Sequence, residues 1–410
     1  MRRLTRREAC QLALLAGTGM PGLCGGAATV GTAGAVVSLQ APARLARVQD
    51  TPAGLLAISR GGELWQLDRG RWNLAGHGLH SASLLAIGDG RVAGRGLDGT
   101  LWMLENGRVT TSPNTALAPD AGLLLLEASV LGVTPTPQGG HLLARLERRG
   151  GAWVETARSR DAVLPDARPV LFETAAASDV GAGQVAVLGG PSETRYHHGV
   201  LGDAVEATSL LLIDRHSLKT LAKLELPDPF VFEDIAPRPV AWRGRPALLT
   251  VRSGPLGAQL AVVTLDSALA GRLQLAQLGP SLGQPRRWMS PTTDGKHLCA
   301  VHTPHIGGVL HCYEDKGGDL RATRRIGDVS NHVIGRRDLD TSVWLERHWV
   351  VPAQDQRRLR FIEVAPGGTA AAPEIELGQA VAGLCRWTHT GKPGVAVLLE
   401  DGSLVWTAAP

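Results

Sequence analysis

The chain of 410 residues has few aromatic side chains other than tryptophan: two tyrosines and four phenylalanines against ten tryptophans. Beyond the first 35 residues, no apolar run reaches the roughly 20 residues that a membrane helix needs. No long stretch repeats with a helical period of 3.6 residues, which excludes a mainly helical protein. The net charge of +4 disappears once Arg2, Arg3, Arg6 and Arg7 are set aside, so the rest of the chain lacks the charge excess of a nucleic-acid-binding protein.

Several catalytic motifs are also missing from the sequence. There is no H-E-x-x-H helix and no P-loop. The glycine-rich stretch of residues 22–34 does not follow a strand, so it is not a Rossmann fingerprint. These absences exclude the common local signatures of zinc proteases, nucleotide hydrolases and dinucleotide enzymes, but not a site assembled from distant segments.

The first 35 residues have the pattern of an export signal. A basic stretch through Arg7 precedes an apolar stretch, residues 9–16, and residues 32–35 offer a small-residue cleavage site. The pair Arg6 and Arg7 resembles a twin-arginine signal, with a general-secretion signal as the alternative. Either signal predicts that a mature chain of residues 36–410 works in the periplasm or outside the cell.

A repeated unit organises the sequence. Residues 62–71 recur as residues 99–108, and a looser third copy occupies residues 401–406. In each copy a glycine-containing turn precedes a strand that alternates polar residues with leucine or tryptophan. The equivalent or near-equivalent places of Trp65, Trp102 and Trp406 favour a packing role for these side chains. Such units at intervals of about 40–50 residues are typical of propeller blades.

We therefore predict an all-β fold, a single β-propeller of about seven four-stranded blades with a range of six to eight. Because the last repeat is similar to the first ones, the two ends of the chain are expected to share or abut a blade. The predicted strands include residues 55–58, 84–87, 184–188, 209–213, 247–251, 260–265, 298–301, 344–351 and 360–364.

The stretch between Pro191 and Asp340 resembles bacterial exported proteins with FG-GAP, or VCBS-type, repeats, which are propellers of the integrin-α kind. The resemblance rests on residues 194–207, 231–238, 283–288, 304–305 and 330–335. Members of this family usually carry D-x-D-G-D-G-like loops that bind calcium. The corresponding loops here, residues 240–246 and 292–297, hold no carboxylate and one carboxylate respectively. We therefore expect no calcium and no other cofactor.

Two groups of polar residues are candidates for ligand binding. The first surrounds Arg195 and His198 and offers acids and bases for a polar ligand or for catalysis, or else a structural network of paired charges. The second places arginines beside Trp288, either as a platform for a sugar or an anion or as a buried tryptophan with solvated arginines. The ligand-binding candidates are Arg195, His198, Asp203, Glu206, Glu233, Asp234, Arg287, Trp288, Asn331 and His332.

A third group combines histidine and cysteine between residues 297 and 312. Such residues can ligate zinc or copper, but their spacing matches no established motif, so we predict no metal site. Cys299 and Cys312 lie opposite each other in a predicted hairpin, which leaves a disulfide and a pair of buried thiols as alternatives. The group consists of His297, Cys299, His302, His305, His311 and Cys312.

Two functions fit these features. The sequence favours a non-catalytic binding or scaffold module for an unknown protein or a polar small-molecule or glycan ligand. The alternative is a propeller enzyme acting on a polar or glycan substrate, with His198, Asp203, Glu206 and Asp234 converging in one open pocket. We expect a monomer with no nucleic-acid partner and no membrane span in the mature chain.

Overall fold

The computed structural model describes residues 36–51, 54–173, 183–266, 271–345, 348–363 and 371–408. The predicted export signal, residues 1–35, lies outside the described residues. The described part of the chain forms β-strands and one short 3-10 helix, Gly199–Leu201. No helix in it has the length and apolarity of a membrane-spanning segment.

Consecutive strands pair antiparallel in sets of four, and each set is one blade. The first strand, β1 (Val36–Ser38), pairs with the other end of the chain and belongs to the last blade. The strands of blades 1 to 4 follow in chain order: β2 (Leu45–Thr51), β3 (Gly54–Ser59), β4 (Leu64–Asp68), β5 (Arg71–Gly76), β6 (Ala86–Gly88), β7 (Arg91–Arg95), β8 (Thr100–Glu105), β9 (Arg108–Ala116), β10 (Leu124–Leu125), β11 (Ser129–Pro135), β12 (His141–Arg149), β13 (Ala152–Arg158), β14 (Val170–Phe172), β15 (Gln184–Ser192), β16 (Glu206–Ile213) and β17 (Thr220–Glu225).

Blades 4 and 5 are joined by a short extra strand, β18 (Val231–Phe232), which pairs with β16 of blade 4. The strands of blades 5 to 8 complete the chain: β19 (Arg238–Trp242), β20 (Arg245–Ser253), β21 (Gln259–Asp266), β22 (Arg272–Leu278), β23 (Met289–Thr292), β24 (Leu298–His302), β25 (Val309–Lys316), β26 (Asp319–Ile326), β27 (Val343–Leu345), β28 (His348–Pro352), β29 (Arg358–Glu363), β30 (Ala371–Glu376), β31 (Val381–His389), β32 (Lys392–Leu399) and β33 (Leu404–Ala408).

The pairing of β1 closes the ring. β1 adds to β33 with Val37 opposite Trp406, so blade 8 takes strands from both ends of the chain, as predicted. β18 also pairs with β20 and so merges blades 4 and 5 into one nine-stranded sheet, while the other blades are separate sheets. Counted in sets of four strands, the described residues form eight blades, the upper end of the predicted range. The fold is an all-β propeller, as the sequence predicted.

The sequence repeats occupy equivalent positions in their blades. The three copies place β4, β8 and β33 as the third strand of blades 1, 2 and 8. The turn glycines Gly62, Gly99 and Gly402 have φ angles of 83°, 83° and 86°, the left-handed conformation that glycine adopts without strain. A Cβ on Gly62 would also lie 2.3 Å from the carbonyl oxygen of Leu79. Local turn chemistry therefore sets the register of these hairpins.

Two of the predicted strands are wrong. In blade 2 the strand before the repeated turn is β7, whereas the predicted strand of residues 84–87 overlaps β6 in its last two residues. The predicted single strand of residues 344–351 is the hairpin of β27 and β28, in which Trp344 lies opposite Trp349. Both strands of this hairpin are apolar, so hydrophobicity alone did not mark the turn between them.

Burial follows the position of a strand within its blade. β20, an inner strand of blade 5, is buried over most of its length because neighbouring blades cover both of its faces. β17, the last strand of blade 4, alternates between half-buried and exposed residues, the pattern of an outer strand with one face in solvent. The apolar core therefore lies between the blades.

Antiparallel pairing puts the loops on two opposite ends of the sheets. Connections between consecutive blades leave from the same end as the turns between the second and third strands of each blade. We call this end the connecting face. The polar segments that carry the candidate residues all lie on it: residues 193–205, 226–237, 279–288, 303–308 and 327–342.

The cysteines and the two loops for which we expect no calcium lie in regular hairpins. Cys299 in β24 and Cys312 in β25 are opposite each other and form a disulfide bond. Residues 240–246 and 292–297 connect paired strands of blades 5 and 6 as plain turns. Cys385 is a buried free thiol whose pKa burial raises.

Candidate binding face

Glu233 joins three segments of the connecting face. Its buried carboxylate pairs with Nδ1 of His198 and accepts a hydrogen bond from the hydroxyl of Ser253. Its backbone oxygen accepts a hydrogen bond from Nε1 of Trp288 at 2.9 Å. Burial raises the pKa of Glu233, while the bonds from His198 and Ser253 act in the opposite direction. The two candidate groups that the sequence treats separately are therefore one cluster.

The neighbouring carboxylate, Asp234, is buried and fully engaged. It accepts hydrogen bonds from the backbone nitrogens of Ile235 and Ala236 at 2.9 Å and 3.3 Å. Nη1 of Arg238 donates to it at 2.7 Å, and the Thr250 hydroxyl at 3.2 Å. This arrangement fixes the entry into β19 and leaves no lone pair facing solvent for acid–base work.

Trp288 is the buried centre of an aromatic stack. Its ring is parallel to that of His305, with ring centroids 6.0 Å apart, and the ring of His332 meets it edge-on at 4.8 Å. Nε2 of His305 lies 2.8 Å from Nδ1 of His332, and Nε2 of His332 donates to the carbonyl of Arg336 at 2.8 Å. Trp288 is only 2% exposed, which agrees with the alternative of a buried tryptophan beside solvated arginines.

Both histidines of this stack are held in the neutral form. Burial, together with the nearby His332, lowers the pKa of His305 to about 3. Burial also lowers the pKa of His332 to about 4, although its bond to the Arg336 carbonyl opposes that shift. In the neutral pair, Nε2–H of His332 donates to the carbonyl and Nδ1 accepts from His305. The fold thus depends on uncharged imidazoles at this position.

We expect His332→Gln to reduce the loss of stability on acidification. A histidine whose folded pKa lies below its unfolded value of about 6.5 stabilises the fold fully above that pH, and this contribution is lost as the pH falls. Between about pH 6.5 and pH 5 one such imidazole accounts for about 2 kcal/mol. In urea unfolding, the free energy of unfolding of the variant should therefore fall by about 2 kcal/mol less than that of the wild type over this pH range.

The exposed His216 provides the control for this comparison. His216→Gln should reproduce the wild-type pH profile, and groups such as Asp166 titrate in all three proteins and cancel. If His332→Gln and the wild type lose the same free energy of unfolding on acidification, His332 does not stay neutral in the fold.

The loop of residues 327–342, between blades 6 and 7, makes ion pairs with blades far from its own, and we call it the axial loop. Arg337 pairs with Asp166 at 2.9 Å, with Asp203 at 2.6 Å and with Asp120 at 3.3 Å. Arg168 also donates to the Arg337 carbonyl. These partners lie in the connections around blades 3 and 4, across the ring from the loop's own blades.

Two further ion pairs tie the axial loop to the first and last blades. Asp338 accepts from Nη1 of Arg47 in β2 at 2.9 Å, and Arg336 lies 3.4 Å from Glu400. Asp340 is held within the loop by Asn331 at 2.8 Å and Ser342 at 2.5 Å, and burial raises its pKa. The candidate Asn331 therefore supports the loop's own conformation.

A second set of carboxylates is buried without enough hydrogen bonds or basic partners to offset the cost of burial. Burial raises the pKa of Asp166 to about 6, and the Asp203 carboxylate adds to that rise. The buried Glu206 has no hydrogen bond or ion pair among the described residues, and its pKa lies well above the ordinary value because of burial and then the charge of Glu233. This part of the face therefore holds carboxyl groups whose pKa values are raised by burial and by their mutual repulsion.

Of the remaining candidates, Arg195 holds a loop in place, whereas the guanidinium of Arg287 is unpaired within the described residues. Nη1 of Arg195 donates to the Leu226 carbonyl at 2.8 Å and so ties the 193–205 loop to the end of β17. The guanidinium of Arg287 has no bonding partner in the described part of the chain, and neither has that of its exposed neighbour Arg286. These two arginines are therefore free to meet a ligand.

The histidine–cysteine group does not come together as a set of metal ligands. His302 stacks on His311 with ring centroids 3.7 Å apart, His297 bonds Asp294 at 2.9 Å, and His305 belongs to the Trp288 stack. Within the residues that the structure describes, no group of three or more His, Cys, Asp or Glu side chains could hold a metal ion.

Two sizeable pockets adjoin the ring, and none of the ten candidate residues lines either of them. One, of about 490 Å³, opens beside the axial loop and includes Arg47, Arg336 and Asp338. The other, of about 660 Å³, lies between blades 1 and 8 on the opposite face. These two pockets therefore do not bring together the residues that the enzyme hypothesis places in one open pocket.

Sequence reasoning missed three features of this face. Arg337 and Asp166 were not candidates, although the dense charges of residues 336–340 were a signal for the former. A G-x-S-x-G stretch is also present, at Gly279–Gly283. It lies in the connection between β22 and β23, not in the strand–turn–helix of an α/β-hydrolase nucleophile elbow, and no histidine bonds Ser281 within the described residues.

The chain matches no protein-family model and none of the curated proteins compared with it. BamB from Moraxella catarrhalis is similar with a TM-score of 0.52 and 12% identity, over 92% of this chain and 97% of that one. Sqt1 from Saccharomyces cerevisiae gives 0.57 and 9%, over 93% and 100%. The quinohemoprotein alcohol dehydrogenase from Comamonas testosteroni gives 0.53 and 12%, over 92% and 76%. At these identities the likeness to these β-propellers shows the fold alone.

Proposed function

We propose that the mature chain is an exported, non-catalytic β-propeller that binds a protein partner or a polar ligand through its connecting face. The observation that carries this proposal is the pairing of three of the four residues that the enzyme alternative needs, His198, Asp203 and Asp234. His198 is bound to Glu233, Asp203 to Arg337 and Asp234 to Arg238. Groups held in this way build a rigid surface, but they do not offer a free acid and base beside a pocket.

The location and the family of the chain are further parts of the proposal. Residues 1–35 support export to the periplasm or beyond, by the twin-arginine or the general-secretion route. Membership of the FG-GAP or VCBS-type repeat family rests on the sequence resemblance and on the propeller fold that the two have in common. The altered loops 240–246 and 292–297 support a member without calcium.

The test is a crosslinked pull-down of the full chain, tagged at its C-terminus, from the periplasm of its own cells. We expect one protein to be recovered reproducibly, with crosslinks on connecting-face loops, and not with an unrelated tagged exported protein. The same purified chain should turn over no glycan or ester substrate. Turnover that His198→Ala abolishes would instead establish the enzyme, the second function that this cluster could serve.

A further inference from the structure

Four large apolar side chains on the connecting face are unusually exposed. The exposed fractions are 63% for Leu97, 62% for Leu256, 64% for Ile306 and 62% for Ile334. The other exposed large apolar residues of the described chain lie on outer strands and are less exposed. Clustered apolar groups in water are typical of interaction sites, so the arrangement of these four is informative.

Three of the four belong to adjacent loops. The turn that carries Leu256 packs on the next connection, where the Ala258 nitrogen donates to the Arg287 carbonyl at 2.9 Å. Trp288 follows Arg287 and stacks on His305, which directly precedes Ile306. His305 in turn meets His332, two residues before Ile334. Leu97 lies apart from them, in blade 2.

The charge within this group is positive and unneutralised. Arg286 and Arg287 lie between the loops of Leu256 and Ile306, and neither guanidinium has a carboxylate partner among the described residues. The backbone of Arg286 is fixed, because its nitrogen donates to the Tyr196 hydroxyl at 2.6 Å. Glu233, the buried carboxylate whose backbone oxygen bonds Trp288, is bound to His198. We call Leu256, Arg286, Arg287, Ile306 and Ile334 the docking surface.

The floor under this surface is rigid. Trp288 and His332 are buried beneath the loops, and Trp288 is anchored to the Glu233 carbonyl. A surface held in place before binding loses little conformational entropy when a partner arrives. None of the docking-surface residues lines a described pocket, so it suits an extended partner better than a small molecule.

We propose that the docking surface binds an acidic segment of a partner protein, with apolar side chains of the segment against Leu256, Ile306 and Ile334 and its carboxylates on Arg286 and Arg287. This inference rests on the proposed binding function and specifies the chemistry of the partner. Arginines favour carboxylates because their planar fork of donors matches two oxygens, and exposed apolar side chains gain free energy when water is excluded.

The experiment uses the full chain in its own cells with a photo-crosslinking amino acid at position 256, 306 or 97. Positions 256 and 306 should crosslink to one protein, and the mapped segment should carry Asp or Glu close to apolar residues. Position 97, equally exposed on the same face, is the matched control and should not crosslink to that segment. A mapped segment without acidic residues would overturn the proposal.

The mapped segment, made as a labelled peptide, then tests the charges directly. Arg286→Glu together with Arg287→Glu should weaken its binding about tenfold or more, and so should Ile306→Asp. Arg108→Glu and Leu97→Asp should leave the affinity unchanged, since Arg108 is exposed at the opposite end of the blades. Equal affinities in all four variants would contradict the assignment.

Two other outcomes separate this inference from the proposed function. A partner recovered in the pull-down whose crosslinks map away from positions 256 and 306 overturns the docking surface and leaves the binding function standing. Absence of any partner, with substrate turnover, overturns both. Binding of the full chain to vesicles of anionic lipid, lost in Arg286→Glu with Arg287→Glu, would assign the surface to a membrane and overturn the protein partner.

Discussion

Arg337→Met should lower the free energy of unfolding by about 3–5 kcal/mol at neutral pH, the usual cost of removing one partner from a buried ion pair. Arg337 is the cation shared by Asp120, Asp166 and Asp203, and the Asp166 side chain is 3% exposed. Methionine keeps most of the arginine volume without its charge. The three carboxylates would then lie together without a cation, and the axial loop would lose the ion pairs that link its side chains to the connections around blades 3 and 4.

The pH dependence separates this cause from lost packing. Loss of the cation raises the pKa of Asp166 further above its unfolded value of about 4, so the variant's stability should fall more steeply than the wild type's as the pH rises from 4 to 7. Adding Asp166→Asn to Arg337→Met should restore at least half of the loss, because it removes the uncompensated charge. No recovery in the double variant would show that packing, not charge, dominates.

The adjacent Arg336 is the matched control. Its partner Glu400 lies 3.4 Å away and both side chains are substantially exposed, so Arg336→Met should cost no more than about 1 kcal/mol. Denaturant unfolding of the three variants and the wild type measures all of these differences. A loss in Arg336→Met as large as that in Arg337→Met would contradict the special role of the buried set of carboxylates.

The blades were predictable where the signal is local. Residues 62–71 and 99–108 combine a glycine that needs positive φ with a strand of period two, and both features act within a single hairpin. The hairpin of Cys299 and Cys312 follows from the same kind of pattern. The hairpin of β27 and β28 was hidden because both of its strands are apolar and no glycine or proline marks the turn.

The binding face was predictable in its residues but not in its bonds. Glu233 and Trp288 are 55 residues apart in the chain, and Arg337 and Asp166 are 171 apart. Their contacts arise from the closure of the ring, which no local pattern encodes. Composition could therefore identify polar segments of the loops, while the pairing of His198, Asp203 and Asp234 needed the fold.

The pairing also explains how a face rich in carboxylates can present a positive docking surface. Asp203, Glu233 and Asp234 are each bound to a basic side chain inside the cluster, whereas Arg286 and Arg287 lie at its rim without a carboxylate. Charges bound in pairs contribute little field outside the protein, while unpaired rim charges steer a partner of opposite sign. The buried network thus holds the loops in place, while the arginines at the rim are available to a partner.

Glu206→Gln should raise the stability of the protein at neutral pH. The Glu206 carboxyl is buried, has no hydrogen bond among the described residues, and is surrounded by Glu233, Asp166, Asp203 and Asp234. Its folded pKa lies above the unfolded value, so its contribution to stability is present at low pH and is lost as the pH rises. Protonating it at pH 7 costs up to about 3 kcal/mol, which glutamine avoids. We expect a gain of about 1–3 kcal/mol at pH 7 and none near pH 4.

The exposed Glu225 on β17 is the matched carboxylate, and Glu225→Gln should change stability by no more than about 0.5 kcal/mol at either pH. A loss of stability in Glu206→Gln at neutral pH would show that Glu206 is ionised and bonded in the fold. A gain would identify a carboxyl group that the propeller carries at a cost to its own stability, which is typical of functional sites. Measuring the partner affinity of Glu206→Gln then shows whether the buried carboxyl group contributes to binding. If the affinity is unchanged, binding depends on the exposed rim of the face and not on Glu206.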